Sequence, residues 1–400
     1  MGSKLGIYTV KQIPKNKKSI FQRIDQFVNN NFYIQFNEIG LDYEIKSIGD
    51  DLKPKPLNFA SLYVAMINAG EKLSDKSLKT YLKSDYVTRY NPIIHYFKKL
   101  PDWDGVDYIK QYASYVNTDD DELFANHLKK WCVRAIRSIL DPNKINKHCL
   151  VLANGEQHAG KSTYINYLIP KELKVYSSEN IGTDKDSRIK LCKTFIINLE
   201  ELDVLGKSDI NELKAFISHT WVNERLPYTS KSENIPRISS FIGSTNLKHF
   251  LNDKTGSVRW IVFTVLGKLD FSYSKKGEEF NIDNLWSQAY KLALDPEFNA
   301  ELTVEDVRVN EQRNKAYQTQ SVEDELILTY YTYSKDKNDF RTASDIVEEL
   351  RPLGHRLSNV KIGTALKGAK FKSDRSSKRG GIHGYLAKPK FKNSPIELKK

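Results

Sequence analysis

CLVLANGEQHAGKSTYINYL, residues 149–168, is the stretch whose reading decides the fold. A strand-like apolar run, Cys149 to Ala153, precedes Gly155. Four spacers follow, then Gly160, Lys161 and Ser162, and a helix-like run from Ser162 to Leu168. The spacing is the phosphate-binding loop pattern G-x-x-x-x-G-K-[ST], and a strand before it with a helix after it is the context that pattern needs. Glycine lets successive backbone N–H groups turn inward around phosphate oxygens, and a helix starting at Lys161 points its positive end at them. Lys161 then reaches the β- and γ-phosphates, and Ser162 offers its hydroxyl to Mg²⁺. Gly155, Gln157, His158, Ala159, Gly160, Lys161, Ser162 and Thr163 are therefore the candidate nucleotide-binding residues, with ATP and Mg²⁺ the expected cofactors. The alternative is a strand-to-helix turn that binds nothing.

Hydrolysis needs more than a phosphate cradle: a carboxylate to hold Mg²⁺ and a group that positions water. TFIINLEELD, residues 194–203, supplies carboxylates at the end of an apolar strand. Glu200 is assigned to Mg²⁺, through water, and Glu201 to the attacking water, with Asp203 competing for either role. A solvated acidic loop is the alternative. The next apolar run, ISSFIGSTN at 238–246, ends in Asn246. An amide there, between the acidic strand and the phosphate loop, suits the γ-phosphate or the water. DKTGSVRW at 253–260 carries Arg259, whose planar fork fits an arginine finger offered to a neighbouring subunit. Lys254 is the weaker candidate. Taken singly, Asn246 reads equally as a strand cap and Arg259 as a surface ion-pair partner. Between them, residues 223–237 (NERLPYTSKSENIPR) are polar and turn-rich. A projecting hairpin there puts Tyr228 and Lys231 at its tip, an aromatic for base stacking and a cation for phosphate. An ordinary surface loop explains the same residues.

Outward from this centre, strand-like runs at 149–153, 194–199, 239–244 and 260–265 alternate with helical segments. That alternation predicts an α/β core with a mainly parallel sheet. Upstream, the spacing predicts helices over 20–30, 57–70, 74–84, 106–115 and 120–140, and a β-hairpin over 32–47 that breaks at Gly40. Downstream, 269–300 and 305–331 read mainly as helices. The expected organisation is an N-terminal α+β domain (1–90), a helical lead-in (91–148), the ATPase domain (149–300), a helical connector (301–340) and a basic C-terminal domain (341–400).

The C-terminal domain holds most of the charge excess. The 400 residues carry a net charge of +12. Residues 361–400 alone have twelve Lys and Arg against two acids, a net +10. A localised basic block points to a polyanionic partner. Two short helices (342–350 and 358–370, the second with Ser358 as N-cap) and a Gly-rich basic hairpin (371–389) resemble a winged helix. Phe371, Ile382, Tyr385 and Leu386 are expected to pack inward. Lys361, Lys367, Lys370, Arg375, Lys378 and Arg379 are the candidate DNA contacts, the alternative being a disordered basic tail. Cys132, Cys149 and Cys192 match no metal-ligand spacing, read as core thiols and fit a reduced cytoplasm. No run of 18 apolar residues exists to span a membrane.

The ordered series 155–163, 196–203, 227–246 and 253–260 resembles the virulence-associated protein E (VapE/VirE) family, P-loop ATPases related to superfamily III helicases within the AAA+ group. LPDWDGVDYI at 100–109 resembles that family's W-D-G segment. The resemblance covers roughly residues 90–265. It implies Lys161 and Ser162 at phosphate and Mg²⁺, Glu200 and Glu201 as the acidic pair, Asn246 as sensor and Arg259 as finger. A pre-sensor hairpin is implied where Tyr228 and Lys231 lie. Asn198 stands where family members usually carry an acid, which leaves the division of labour among Glu200, Glu201 and Asp203 open. The function so implied is an ATP-dependent DNA helicase or translocase of a phage or mobile element, acting in DNA replication as a homo-oligomeric, hexameric ring. Single-stranded DNA would lie in its channel and duplex DNA at the C-terminal domain. An ATP-switched DNA-binding loader or regulator, or, lower still, a P-loop kinase, are the other readings. No primase-like cluster of acids is evident in residues 1–90.

Overall fold

The computed structural model describes residues 18–155, 159–182, 184–200, 202, 207–225, 232–246, 250–251, 257–269, 280–318, 321–376 and 380–390, with the backbone alone at 3–5, 8–10, 207–212, 257 and 376. The chain divides into two compact units, Met1–Ala316 and Tyr317–Lys400.

The first unit begins with two short paired strands, β1 (Ser3–Leu5) and β2 (Tyr8–Val10). Helix α1 (Ile20–Asn31) starts in a capping box, Ser19 and Gln22 satisfying each other's backbone N–H. The hairpin β3 (Phe32–Asn37) and β4 (Asp42–Ser47) pairs Phe32 with Ser47. Strands β5 (Lys55–Pro56) and β6 (Thr88–Tyr90) complete a sheet of order β5-β4-β3-β6. Helices α2 (Phe59–Asn68) and α3 (Asp75–Leu82) join α1 over Ile24, Val28, Ile34, Leu62, Met66 and Leu78. Strand alternation sends Gln35 and Asn37 to the opposite face. There both donate to Glu44 at 2.7 Å, and Asn37 reaches the Tyr176 hydroxyl at 3.0 Å.

Three helices lead into the central sheet: α4 (Pro92–Lys99), α5 (Tyr108–Ala113) and α6 (Asp121–Leu140). The W-D-G segment is a self-bonded turn. Trp103 Nε1 donates to Val106 O at 2.7 Å, Asp104 accepts from Val106 N and Tyr108 OH, and Gly105 sits at φ +92°. Asp107 then caps α5 and accepts from Gln288 and Lys129. These bonds give the segment a structural task.

The central strands are β7 (Cys149–Ala153), β8 (Ser177–Glu179), β9 (Ile196–Leu199), β12 (Ser240–Thr245) and β13 (Trp260–Thr264). The helices α7 (Lys161–Leu168), α8 (Lys185–Lys193) and α9 (Lys207–Ser218) and the hairpin β10 (Trp221–Glu224)–β11 (Glu233–Pro236) intervene. Every pair in the sheet is parallel, in the order β13-β7-β12-β9-β8. Counted along the chain this is 5-1-4-3-2. The strand ending at Asn246 therefore separates the phosphate-loop strand from the acidic strand. Strands covered on both faces read as unbroken apolar runs, and β7, β9 and β12 are buried at every position. Trp131 of α6 is fully buried and donates Nε1 to Phe241 O of β12 at 2.9 Å. Gly243 of β12 has no substitute: a Cβ there would stand 2.8 Å from Leu199 O of β9.

Helix α10 (Ile282–Leu294) packs on α5 and α6, and α11 (Val304–Asn314) covers the free side of β13. Asn314 Nδ2 donates to Trp260 O at 2.8 Å, and Arg313 pairs with Asp119 at 2.7 Å over the Phe263 ring.

The second unit runs α12 (Val322–Tyr330), β14 (Tyr331–Tyr333), β15 (Phe340–Arg341), α13 (Ala343–Leu350), α14 (Asn359–Gly368), β16 (Ser373–Ser376) and β17 (Ile382–Pro389). Strand β17 pairs with the other three. The core joins Leu326, Ile327, Ile346, Leu350, Ile362, Leu366, Phe371 and Tyr385. Two expectations are corrected. Ile382 is 52% exposed, because it lies at the turn end of β17 and strand alternation turns it away from the face on which Tyr385 and Ala387 join the core. Ser358 occupies the N-cap position of α14 but its side chain makes no capping bond.

Candidate functional site

The carboxyl edge of the central sheet gathers the residues of the phosphate-loop pattern. β7 ends at Ala153, in register with Thr245 of β12 and Thr264 of β13. Asn154 ties the start of the loop to both neighbours: its N–H donates to Thr245 O at 3.1 Å and its Nδ2 to Gly267 O at 3.0 Å. Gly155 is exposed. At the far end of the loop Gly160 has φ +86°, a left-handed position that favours glycine. It is the N-cap of α7 and leaves that helix without a side-chain cap. A helix N-terminus of this kind is where an anion can bind. Ala159 is buried, its carbonyl accepting from Leu269 N at 2.9 Å.

Lys161, at the first turn of α7, is buried at 6% exposure. Its ammonium donates to Asn246 Oδ1 at 3.0 Å and to Asn154 O at 3.4 Å. The two residues chosen from separate motifs are thus in direct contact, 85 positions apart. Ser162 is half-buried and Thr163 exposed on the same turn. Glu200 follows β9 immediately, and Asn198 Nδ2 donates to its Oε1 at 3.2 Å. Asn198 is itself buried, with its Oδ1 unpartnered. Leu202 N–H donates to Ser244 O at 3.3 Å, which brings Leu202 to the end of β12.

Arg259 is elsewhere. It ends a short 3-10 turn (Ser257–Arg259), and the next residue, Trp260, pairs with Cys149 at the start of β7. It therefore lies at the amino edge, about 15 Å of strand away from its own loop. Its Nε donates to Ser218 Oγ at 2.8 Å. Two imidazoles lie behind the sheet: half-buried His148 just before β7, and fully buried His127 of α6, whose ring lies 6.0 Å from that of Phe263. Burial pushes His127 down to about 4 and His148 down to about 3, both aided by nearby cations. Arg237 is fully buried at the amino edge, burial lowering it to about 9, with Nη2 on Asn146 O at 2.8 Å and its fork against Phe241. These buried polar groups carried no sequence signal. Periodicity marks a His or Arg as polar and does not say that the fold buries it.

Gln157, His158, Glu201, Asp203, Tyr228, Lys231, Lys254, Lys378 and Arg379 lie outside the described residues. In the second unit Lys361, Lys367, Lys370 and Arg375 are exposed. Lys361 stands 3.7 Å from the buried carboxylate of Glu323. The three cysteines are buried and free. Among the described residues no group of three His, Cys, Asp or Glu is placed to hold a metal, and no helix is long and apolar enough to cross a membrane.

A mixed α/β chain whose parallel sheet gathers a glycine-lysine loop, an amide and an acidic turn at one edge is the class defined by this geometry. The virulence-associated protein E-like domain model matches residues 97–319. The chain belongs to that family. Among solved structures it is similar to the apo NrS-1 C-terminal region (305–718), with TM-score 0.54, 13% identity, 93% of this chain covered and 100% of that one. The A form apo structure of the same region gives TM-score 0.50 at 13% identity, with the same coverage. At that identity the likeness concerns the fold. None of the curated proteins matches the sequence.

Proposed function

We propose that the chain is an ATP-driven DNA translocase of helicase type, acting in the DNA replication of a phage or mobile element. In this reading its core is a P-loop AAA+ domain. It hydrolyses ATP at sites shared between neighbouring copies in a homo-oligomeric, hexameric ring. The observation that carries this reading is the division of the candidate residues between two edges of one sheet. Lys161 and Asn246 touch at the carboxyl edge, whereas Arg259 is held at the amino edge. An arginine placed there serves a nucleotide only on an adjacent copy. A small-molecule kinase has no use for that arrangement.

The donor set fits ATP and Mg²⁺. Mg²⁺ is commonly held by one or two carboxylates together with substrate phosphates, and Ser162 with Glu200 meets that need without a three-acid cluster. Bound MgATP supplies the phosphoanhydride whose cleavage drives movement. Lys161 and the N–H groups of α7 hold the phosphates. Asn246 keeps its Nδ2 as a donor toward the same edge while Oδ1 takes the Lys161 ammonium. Glu200 with Ser162 would hold Mg²⁺, and Glu201, on sequence grounds, would orient the attacking water. Arg259 stabilises charge at the neighbour's site.

DNA contact is assigned to Tyr228 and Lys231 for a single strand in the channel. For duplex it is assigned to Lys361, Lys367, Lys370, Arg375, Lys378 and Arg379. The order helix, strand, strand, helix, helix, strand, strand in residues 322–389 supports a winged-helix reading of the second unit. The test is strand displacement on a forked substrate by wild type and Lys161→Ala. Unwinding lost in the variant supports the reading. ATP hydrolysis by wild type with neither unwinding nor translocation sinks the helicase claim. DNA binding that needs ATP but not its hydrolysis favours a nucleotide-switched loader.

A further inference from the structure

We propose that Ser218 is a positioning residue that fixes the pose of Arg259, and that α9 connects each copy's own acidic turn to the arginine it offers to its neighbour. This deepens the reading above and rests on Arg259 acting between copies.

Ser218 is the last residue of α9. Its hydroxyl has one proton, and that proton goes to Lys214 O, one turn back, at 2.8 Å. Its lone pairs are left for Arg259 Nε, which donates at 2.8 Å. Holding a guanidinium at Nε fixes the plane of the fork while sparing its two terminal amino groups. Among the described residues none of these takes a partner from within the chain. The backbone beneath is fixed separately, because Asn314 of α11 holds Trp260 O and β13 is zipped to β7. The side-chain contact to α9 is therefore the adjustable end of the arrangement.

The other end of α9 leads to the acidic turn. Leu202 is buried and bonded to Ser244 O at the carboxyl edge, and α9 starts at Lys207. The chain regains the amino edge just after Ser218, where Thr220 O accepts from Arg237 N. Twelve residues of helix make a rod of about 18 Å, enough to cross the sheet. Leu213, Phe216 and Ile217 bury its inner face, so the rod shifts as a body. A change at Glu200–Leu202 thus reaches Ser218, and through it the arginine presented to the next copy.

The experiment combines steady-state ATP turnover with subunit mixing. Ser218→Ala is expected to lower kcat about tenfold, the order of loss for a displaced catalytic group, with KM for ATP and the thermal midpoint unchanged. Ser218→Thr, which keeps the oxygen, restores turnover. Adding S218A to R259A costs nothing further. Mixing S218A with K161A raises activity above either alone, as mixing R259A with K161A does. Wild-type turnover in S218A, a further tenfold loss in the R259A background, or a lowered thermal midpoint accounting for the loss would overturn the proposal. If R259A and K161A fail to complement, the shared-site reading itself falls. If they complement and S218A does not follow R259A, only the role of Ser218 and α9 falls.

Discussion

The two edges of the central sheet are built from the same strands and differ in almost everything else. The carboxyl edge gives way to loops: Gly155 is exposed, Gly160, Ser162, Glu200 and Asn246 are half-buried, and Lys161 and Asn154 lie buried beside them. The amino edge is filled. Arg237, Asn146 and the first residues of β7 and β13 are buried there, and Arg259, half-buried, is held at the same edge. In the proposed reading the edge that admits and releases nucleotide is the open one, and the edge that presents Arg259 is packed behind it.

The sharpest way to break this comparison is to remove one residue from each edge. Lys161→Ala should abolish phosphate release, at least a hundredfold, and also weaken nucleotide binding, since it deletes a ligand contact. Arg259→Ala should reduce turnover by about three orders of magnitude, the lower range for an arginine finger, while leaving equilibrium nucleotide binding intact. Titration of both variants with a fluorescent ATP analogue separates the two edges. Equal loss of binding in R259A would place Arg259 at its own nucleotide after all.

Next in size is Gly243→Ala. The added methyl meets Leu199 O at 2.8 Å, so β9 and β12 must part, at a cost of about 1–3 kcal/mol. Denaturant unfolding measures it, and turnover should fall with it because Glu200 and Asn246 sit at the ends of those strands.

The last expected effect is on the slope of stability against pH and belongs to His127, buried on α6 against the sheet. The folded state holds His127 at about 4, below the ordinary 6.5, so between those values the unfolded chain binds more protons than the native one. Stability is then complete above pH 6.5 and declines as pH falls toward 4, by about 3 kcal/mol from this group. His148, held at about 3, acts in the same direction. His127→Leu should flatten the slope of unfolding free energy against pH over that window. An unchanged slope would mean that another group titrates there.

Sequence made the strands of this sheet legible where burial on both faces leaves only apolar residues, as in Cys149–Ala153 and Trp260–Thr264. The edge strand Ser177–Glu179 escaped, because Ser-Ser-Glu has no apolar pattern and is a strand only through its backbone bonds to β9. Loop spacing singled out Gly160, Lys161 and Ser162, and the structure has Gly160 as the N-cap of α7 with Lys161 and Ser162 in its first turn. The contact of Lys161 with Asn246 was not legible as a contact. It depends on β12 inserting beside β7, a long-range pairing no local pattern encodes. Ile382 shows the converse limit: an apolar residue at a hairpin turn finds no helix to cover it.

The same insertion has a consequence for how the chain is made. The loop-bearing strand β7 is complete at residue 153, but its two neighbours, β12 and β13, begin only at residues 240 and 260. At ribosomal speeds of about 5–20 residues per second, an unbroken apolar strand with both edges open waits roughly five to twenty seconds for its first partner. Helix α6, synthesised just before, is the apolar surface at hand for shelter in that interval. The residue that later bonds β12, Trp131, is then the natural place for β7 to rest while the rest of the sheet arrives.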